Sequence, residues 1–339
     1  MKGKIGKLAA ILLGLAAAVL SLPLVLGFFG ALHPLFDSLS HFRIHLAGLL
    51  TMTGALLLLF RGWRLNGAIA LGLGCAAIVV TLGLPFNGLR AQASAGGEEA
   101  ARYRLLQLNL RFNNPRPEAV LSLIGGVRPD VVTLEEVSTM WIEKLALTET
   151  AYPHRIVCPH RSHIGGVAIL SRRPFTGAPP RCLNSGSMAV ATVDFGGQAI
   201  DVAALHLGWP WPFEQKWQVS KVAPELATLG NRAILAGDFN ATPWSMTVRR
   251  VAEAGGLKLT RWVGPSWLNR RLPDWMRPYI GLPIDHVMVK GGVLAEAPRR
   301  LATAGSDHLP VLVEFSLLPE EQAPSVMQAM AEGSKAIGQ

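Results

Sequence analysis

Three long apolar runs in the first ninety residues constrain the fold of this chain more than any other feature. They cover residues 8–32, 44–60 and 65–89, and none contains Lys, Arg, Asp or Glu. About 20 apolar residues in a helix cross the hydrocarbon core of a bilayer, and about 17 is the lower limit. The first and third runs exceed this length, and the second just reaches it. The sequence therefore predicts three transmembrane helices in a membrane domain over residues 1–90.

The first run also has the basic flank of a cleaved signal peptide, because Lys2, Lys4 and Lys7 precede it. A signal peptide has an apolar region of about 7–15 residues. The first run is longer than that, and two further apolar runs follow it. We therefore interpret it as a membrane anchor.

The positions of the basic residues predict the orientation of the three helices. The lysines precede the first run, Arg61 and Arg64 separate the second from the third, and only Arg43 lies between the first and second. Short loops rich in Lys and Arg stay in the cytoplasm. Three crossings from a cytoplasmic N-terminus place the chain beyond the third run outside the cytoplasm. In a bacterium this predicts an integral protein of the inner (cytoplasmic) membrane with an extracytoplasmic second domain.

The chain has three cysteines, too few for a small disulfide scaffold. Cys75 falls inside the third apolar run. Cys158 and Cys182 would lie in an oxidising compartment and could pair there. Two free buried thiols are equally compatible with the sequence.

The formal charge of +9 belongs mostly to the first third of the chain. Residues 1–96 contain seven Lys and Arg residues and one acidic residue, so the remainder is close to neutral. Proteins that bind the phosphate backbone of nucleic acids normally present a clustered basic surface. The charge therefore disfavours a nucleic-acid partner. The high apolar content, half of all residues, excludes a disordered chain.

Small and polar residues follow the apolar runs and predict a linker over residues 91–102, a soluble domain over 103–318 and a flexible tail over 319–339. Short apolar runs rich in β-branched residues predict strands in the soluble domain. These strands are 104–110, 130–134, 166–170, 188–195, 199–207, 232–236, 284–289 and 311–315. Helix-like stretches are 117–125, 138–147, 214–229 and 244–254. This mixed order is typical of an α/β domain with two sheets.

Polar residues of a particular kind follow the ends of these predicted strands. They are Asn109, Glu136, His206, Asp238, Asn240, Asp285, Asp307 and His308. In α/β folds, polar side chains at several strand ends converge on one edge of the sheet, where sites are built. Hard oxygen donors without clustered cysteines favour Mg²⁺ or Mn²⁺ over zinc.

Each of these residues also has a structural interpretation. Asp238 and Asn240 could form a polar turn after a strand. Glu136 could be a favourable charge at the start of the helix predicted over 138–147. Its neighbour Glu135 offers the same functional group one position earlier. Taken alone, none of these motifs defines a site.

Taken together, seven segments resemble the endonuclease/exonuclease/phosphatase superfamily, which has the DNase I-like fold. They are QLNLR (107–111), LEEV (134–137), GGVAILSRRP (165–174), ALHL (204–207), GDFNATP (237–243), IDHVMV (284–289) and SDHLP (306–310), in the order of the superfamily. The resemblance implies a two-sheet β-sandwich flanked by helices, dependence on a divalent metal and hydrolysis of phosphoesters. The layout is similar to that of membrane-anchored bacterial members with three N-terminal transmembrane helices.

The resemblance also implies roles for individual residues. The metal ligands would be Glu136, Asn109 and Asp307. Asp238 and Asn240 match the pair that positions the attacking water and the phosphoryl group. His308 matches the imidazole that contacts the phosphate or activates water, with Asp285 as its orienting carboxylate, and His206 matches a phosphate-contacting histidine. Arg111 and Arg172 are candidates for phosphate binding.

Tryptophan and arginine residues bear on the substrate. Eight of the nine tryptophans lie in the soluble domain, several of them close to Arg261, Arg270, Arg271 and Arg277. Such a combination suits a lipid headgroup interface. With the membrane anchor, it predicts a lipid bilayer partner and a membrane-proximal phosphoester or pyrophosphate as substrate.

Two other functions stay open. A single-stranded nucleic acid would use the same stacking and basic residues, so an extracytoplasmic nuclease is the alternative. A non-catalytic module would keep the fold but lose members of the catalytic set, all of which are present here. The sequence indicates no protein partner.

Overall fold

The computed structural model of the protein describes residues 2–83 and 101–319. The predicted linker (91–102) and tail (319–339) lie outside these ranges, apart from residues 101, 102 and 319. The described residues form two compact units. The first contains the N-terminal residues together with Pro210–Lys216 and Trp244–Thr247, and the second contains the remainder.

The N-terminal residues of the first unit are helical. The helices are α1 (Lys2–Leu26), α2 (Pro34–Ser40), α3 (Arg43–Leu57) and α4 (Arg64–Leu82). Two helical stretches, Lys4–Phe29 and Arg61–Leu82, are long and apolar enough to cross a membrane. Only 17% and 22% of these two stretches are buried, so their apolar side chains face outward.

The second predicted span is shorter in the structure than the sequence indicates. Helix α3 has 15 residues and ends at Leu57, after which the chain turns. At 1.5 Å per residue it is about 22 Å long, against about 30 Å for the hydrocarbon core. The turn is itself apolar, and the uninterrupted hydropathy of residues 44–60 therefore concealed it. Among the described residues, two helices rather than three meet the length for a span.

Helices α3 and α4 approach each other closely through glycine. A Cβ atom at Gly54 would lie 2.4 Å from the backbone nitrogen of Leu71 and 2.8 Å from the carbonyl oxygen of Gly67. Small residues allow such backbone contact between apolar helices, where burial from water cannot drive association.

The second unit contains two mixed sheets. The strands are β1 (Tyr103–Asn109), β2 (Val131–Val137), β3 (His154–Cys158), β4 (Gly166–Ser171), β5 (Arg181–Leu183), β6 (Met188–Asp194), β7 (Ala199–His206), β8 (Ala233–Asp238), β9 (Lys258–Leu259), β10 (Asp285–Lys290), β11 (Val293–Ala295), β12 (Arg299–Arg300) and β13 (Val311–Leu317). Sheet A has the order β11-β13-β1-β2-β4-β3, with β12 also paired to β13, and sheet B has the order β5-β6-β7-β8-β10-β9. The pairs β1–β2 and β7–β8 are parallel, and the other pairs are antiparallel. The expectation of an α/β domain with two mixed sheets is confirmed.

The sheets pack face to face because their strands are apolar on both sides. In β1, Leu105 points into the core between the sheets, whereas Leu106 and Leu108 point to the outer face of sheet A. Helices α5 (Pro117–Val127) and α6 (Thr139–Ala146) cover that outer face. The corresponding face of sheet B packs on α7 (Gln215–Ala227) and α8 (Met246–Gly255), and α9 (Arg277–Ile280) follows. Both faces of each central strand are thus buried. Because a shift in register would disturb this packing, the positions of the strand ends are determined by it.

One disulfide joins the two sheets. Cys158 in β3 and Cys182 in β5 are bonded, with their Cα atoms 5.4 Å apart. Each belongs to an edge strand, one from sheet A and one from sheet B. Of the two arrangements that the sequence left open, the structure has the bridge.

Candidate active site

Strand pairing brings most of the predicted site residues to one edge of the sandwich. Parallel pairing of β1 with β2 aligns Asn109 with Glu135. Parallel pairing of β7 with β8 aligns His206 with Asp238, and antiparallel pairing of β8 with β10 aligns Asp238 with Asp285. The polar residues at the strand ends are therefore neighbours, as the pattern predicts.

A β-bulge sets the direction of Glu136. Leu134 pairs with Ala168 and Val137 with Gly166, so β2 contains one more residue than its partner over this interval. Glu136 has φ of 56°, in the left-handed region that an L-residue adopts at a cost of about 1–2 kcal/mol. The bulge interrupts the alternation of side chains, and Glu136 lines the pocket while Glu135 is buried beside it.

Asn109 connects the carboxylates of Glu136 and Asp238. Its Nδ2 donates to Glu136 Oε1 at 3.1 Å and to Asp238 Oδ2 at 3.0 Å, and its Oδ1 accepts from the backbone of Arg111 at 2.9 Å. Glu136 Oε2 also accepts from the Phe112 backbone at 2.8 Å. One amide thus holds two acidic side chains from different sheets within a few ångströms.

Asp238 faces two imidazoles. Its Oδ2 lies 3.7 Å from His206 Nε2 and 3.6 Å from His308 Nε2, and its Oδ1 accepts from the Asn240 backbone at 2.8 Å. Burial, together with the nearby Asp285 charge, raises the pKa of Asp238 to about 7, against the opposing effect of His308. Burial lowers the pKa of His206.

His308 and Asp285 form a buried pair. His308 Nδ1 lies 2.9 Å from Asp285 Oδ2, which leaves Nε2 on the side of Asp238. Burial alone would lower the pKa of His308, but the charges of Asp285 and Asp238 outweigh it and raise that pKa. Burial alone would likewise raise the pKa of Asp285, and the charge and hydrogen bond of His308 lower it. The pair favours an imidazolium beside a carboxylate.

Glu135 and Gln107 lie behind this pair. Gln107 Nε2 donates to Glu135 Oε2 at 2.8 Å and to Asp285 Oδ1 at 2.9 Å, and both residues are fully buried. Burial and the charge of Asp285 raise the pKa of Glu135 well above its usual value. Sequence reasoning missed Gln107, because a glutamine inside a strand gives no signal of a partner from another sheet.

Ser266, Ser306 and Arg277 hold the loops of the site, and sequence reasoning missed these roles as well. Ser306 Oγ donates to the carbonyl of Asn109 at 2.8 Å, and Ser266 Oγ accepts from the backbone of Asp285 at 3.3 Å. The buried Arg277 donates through Nη1 to the carbonyls of Ser266 at 2.6 Å and Asp307 at 2.9 Å. The arginine predicted for a headgroup interface is therefore an internal brace.

The site opens into a pocket of about 520 Å³. Catalytic candidates that line it are Glu136, His206, Asp238, Asn240, Asp307 and His308. The rest of the wall includes His160, Trp209, Trp267, Asn269, Arg270 and Arg271. Trp267 Nε1 donates to Asp307 Oδ2 at 3.3 Å, which brings Asp307 to the same pocket by a contact that the sequence did not indicate.

The structure does not bring the two predicted phosphate-binding arginines to this pocket. Arg111 Nε donates to Asn113 Oδ1 at 3.0 Å, and Arg111 is not among the lining residues. Arg172 follows β4, whose far end pairs with Val131 at the start of β2. The strand rise of about 3.3 Å per residue places Arg172 at the opposite end of sheet A from Glu136.

The donor set fits a hard divalent cation. Carboxylates of Glu136, Asp238 and Asp307 line one pocket without any cysteine among its described lining residues. Atoms of Asp238, Asp285 and His308 also lie within 4.8 Å of one another. Oxygen-rich sites of this kind favour Mg²⁺ or Mn²⁺. The arrangement can balance the negative charge of a phosphoryl group and place an imidazolium beside it.

Comparison with known proteins identifies the family and the fold. The sequence model of the Endonuclease/Exonuclease/phosphatase family matches residues 106–308, more than half of the chain. No curated protein sequence matches the chain. Similar solved structures include an endonuclease/exonuclease/phosphatase from Bacteroides vulgatus, with 17% identity and a TM-score of 0.54 over 64% of this chain and 100% of that one. TDP2 of D. rerio complexed with single strand DNA product has 18% identity and a TM-score of 0.52, over 64% and 99% of the two chains.

Proposed function

The chain belongs to the endonuclease/exonuclease/phosphatase family and is a hydrolase that acts on phosphoester bonds, and from that premise we propose that it cleaves a membrane-proximal lipid phosphoester or pyrophosphate with the help of a divalent cation. The observation that supports this most is the pocket in which Glu136, Asp238 and His308 meet. These residues come from three segments separated by about 70–100 positions, and no simple turn or cap explains their convergence.

Glu136, Asn109 and Asp307 would hold Mg²⁺ or Mn²⁺. Glu136 and Asp307 supply anionic oxygens from the pocket wall, and Asn109 contacts Glu136 directly. The cation would supply positive charge against the phosphoryl oxygens. The Oδ1 atom of Asn109 accepts a backbone hydrogen bond here, so ligation by that oxygen would exchange this contact for the metal.

The protein's own residues would position the attacking water and donate a hydrogen bond to the phosphoryl group. Asp285 fixes the His308 ring through Nδ1, so Nε2 can donate to a phosphoryl oxygen while water attacks the phosphorus atom. Asp238, with its raised pKa, is placed between His206 and His308 to orient that water. The attacking water gives a proton to Asp238 as its oxygen bonds to phosphorus, the phosphorus–oxygen bond to the leaving group breaks, and the leaving oxygen takes a proton from solvent.

Membrane attachment supports a lipid substrate. The two long apolar helical stretches expose side chains such as Leu8, Leu12, Leu65 and Ile69, which suits a lipid environment better than a protein core. The Trp209–Trp267 pair at the pocket, with ring centroids 5.9 Å apart, offers an apolar wall beside the scissile group.

An extracytoplasmic site would require an odd number of crossings. With the N-terminus in the cytoplasm, α1 and α4 alone would return the chain to the cytoplasm, so α3 must cross as well. Helix α3 and the apolar turn at residues 58–60 together make 18 residues, so this crossing requires the turn to lie within the bilayer as well. The Cys158–Cys182 bridge supports this topology, because such bonds persist in oxidising compartments.

The first test compares metal-loaded, detergent-solubilised protein with the same protein in EDTA. We expect hydrolysis of a lipid phosphate in the presence of Mg²⁺, and a loss of at least about 100-fold without metal, because a metal-stabilised transition state is worth several kcal/mol. The readout is the product of each substrate in a panel of polyprenyl pyrophosphate, phospholipid, sphingomyelin and DNA. It is inorganic phosphate for the pyrophosphate, the released phosphomonoester or alcohol for the two lipids, and shortened strands for DNA. Undiminished turnover in EDTA would refute the metal-dependent proposal.

The same panel tests the alternative of an extracytoplasmic nuclease. The aromatic pair and the two arginines at the pocket would also suit stacked bases. TDP2 of D. rerio, which is similar in fold, is complexed with single strand DNA product. Cleavage of DNA at rates far above those for every lipid would favour the nuclease.

A further inference from the structure

One part of the pocket wall carries positive charge. It is formed by a short segment of the chain that contributes Trp267, Asn269, Arg270 and Arg271 to the lining. Beyond Glu136, Asp238 and Asp307, no carboxylate is among the described lining residues. A ligand at the catalytic residues therefore meets a rim with two positive charges.

The two arginines lack acidic partners in the described part of the chain. Neither guanidinium lies within 4 Å of a carboxylate there, whereas Arg277 a few residues later is paired with Asp274 at 2.8 Å. Both Arg270 and Arg271 are exposed. Two adjacent cations repel each other, and a guanidinium is the side chain best suited to bind a planar oxyanion.

The backbone of this segment is tied to the catalytic residues. Trp267 forms a β-bridge with His308, and the Leu268 backbone donates to the carbonyl of Asp307 at 3.1 Å. Arg270 is two residues beyond Leu268, so their Cα atoms are at most about 7 Å apart. The arginines therefore follow directly on a backbone segment that pairs with His308 and is hydrogen-bonded to Asp307.

We propose that Arg270 and Arg271 form a subsite for a second anionic group, linked to the scissile phosphate on the substrate. The substrate class is then an organic phosphate with two neighbouring negative groups. This inference rests on the proposed function, because it assumes that the scissile phosphate binds at the carboxylate and imidazole side of the same pocket. The subsite would strengthen substrate binding, and the roles proposed for Glu136, Asp238 and His308 in hydrolysis would be unchanged.

The test uses two substrates that differ by one phosphate group, an alkyl monophosphate and the alkyl diphosphate of the same chain length. Phosphate release by the full-length protein in detergent with Mg²⁺ gives kcat and KM for each. We expect the wild type to prefer the diphosphate. The double variant Arg270→Gln, Arg271→Gln should lower kcat/KM for the diphosphate by about 10- to 100-fold, mainly through KM, and change the monophosphate by less than about threefold.

Arg249→Gln is the control. It removes an exposed arginine of α8 that pairs with Glu253 at 2.7 Å and does not line the pocket, and it should leave both substrates unchanged. Equal losses for both substrates, or no loss for either, would overturn the subsite. A loss confined to a single-stranded oligonucleotide would also overturn it and point to a nucleic acid. If the wild type hydrolyses no phosphoester, the proposed function itself fails.

Discussion

Two adjacent glutamates show how much a single position decides at the scale of the residue. Glu135 and Glu136 have the same chemistry, yet the bulge places Glu136 on the pocket wall and buries Glu135 against Gln107. Burial and the charge of Asp285 raise the pKa of Glu135 well above its usual value, which disfavours its charged form. We expect only Glu136 to contribute negative charge to the reaction.

The substitutions Glu135→Gln and Glu136→Gln test this difference. Gln at 135 is close in shape to a neutral carboxylic acid and can still accept from Gln107, so activity should stay within about threefold of the wild type. Gln at 136 removes the anionic oxygen that we propose as a metal ligand, and kcat should fall by at least about 100-fold. Steady-state phosphate release measures both. Equal losses in the two variants would contradict the assignment.

At the scale of the element, the loop before β10 and the loop before β13 depend on one arginine. Arg277 in α9 donates to two carbonyls, those of Ser266 and Asp307, and its side chain is buried. Its third partner, Asp274, is largely exposed, so that ion pair contributes little. The structural value of Arg277 therefore lies in the two carbonyl bonds.

Replacing Arg277 by Met should lower the free energy of unfolding by about 2–4 kcal/mol, since two buried carbonyl groups lose a charged donor. The same substitution should also lower kcat, because Arg277 holds the loop before β13 that carries Asp307 and His308. Asp274→Ala is the control, with a change below about 1 kcal/mol. Denaturant unfolding and phosphate release report both effects. A stable and fully active Arg277→Met protein would show that the brace is dispensable.

The elements also show what sequence reasoning can reach. The eight apolar strands were predicted because burial on both faces leaves continuous hydrophobic runs, and polar residues near the ends of several of these runs indicated the candidate site. The short strands β3, β5, β9, β11 and β12 were missed, since each has at most five residues and all except β11 contain charged or polar residues. Gln107, Ser266 and Ser306 were missed because their partners come from distant segments. Arg172 was predicted to bind phosphate because it belongs to a motif of the superfamily. The sequence does not show that β4 runs away from the pocket, so that Arg172 lies at its far end.

At the scale of the whole molecule, the side of the membrane on which the proposed topology places the second unit depends on whether helix α3 crosses. Two crossings and three crossings place the hydrolase on opposite sides, and substrates differ between those sides. The intersheet bridge favours the oxidising side. The number of crossings and the redox state of Cys158 and Cys182 must therefore indicate the same side of the membrane.

A reporter fused after Gln339 measures the parity directly. We expect the fusion to behave as extracytoplasmic, because Lys2, Lys4 and Lys7 keep the N-terminus inside and three crossings follow. In the same cells, Cys158 and Cys182 should resist alkylation until a reductant is added. A cytoplasmic reporter with freely alkylated thiols would refute the topology and leave the hydrolase site untouched.

The bulge in β2 has a consequence for how this protein tolerates change. The interval from Leu134 to Val137 spans one residue more than its partner strand, and that additional residue interrupts the alternation of side chains, so that Glu136 lines the pocket while Glu135 is buried. Deletion of any residue there would restore regular pairing while keeping at least one glutamate in the sequence. We therefore expect a one-residue deletion in this interval to abolish hydrolysis while the protein stays folded.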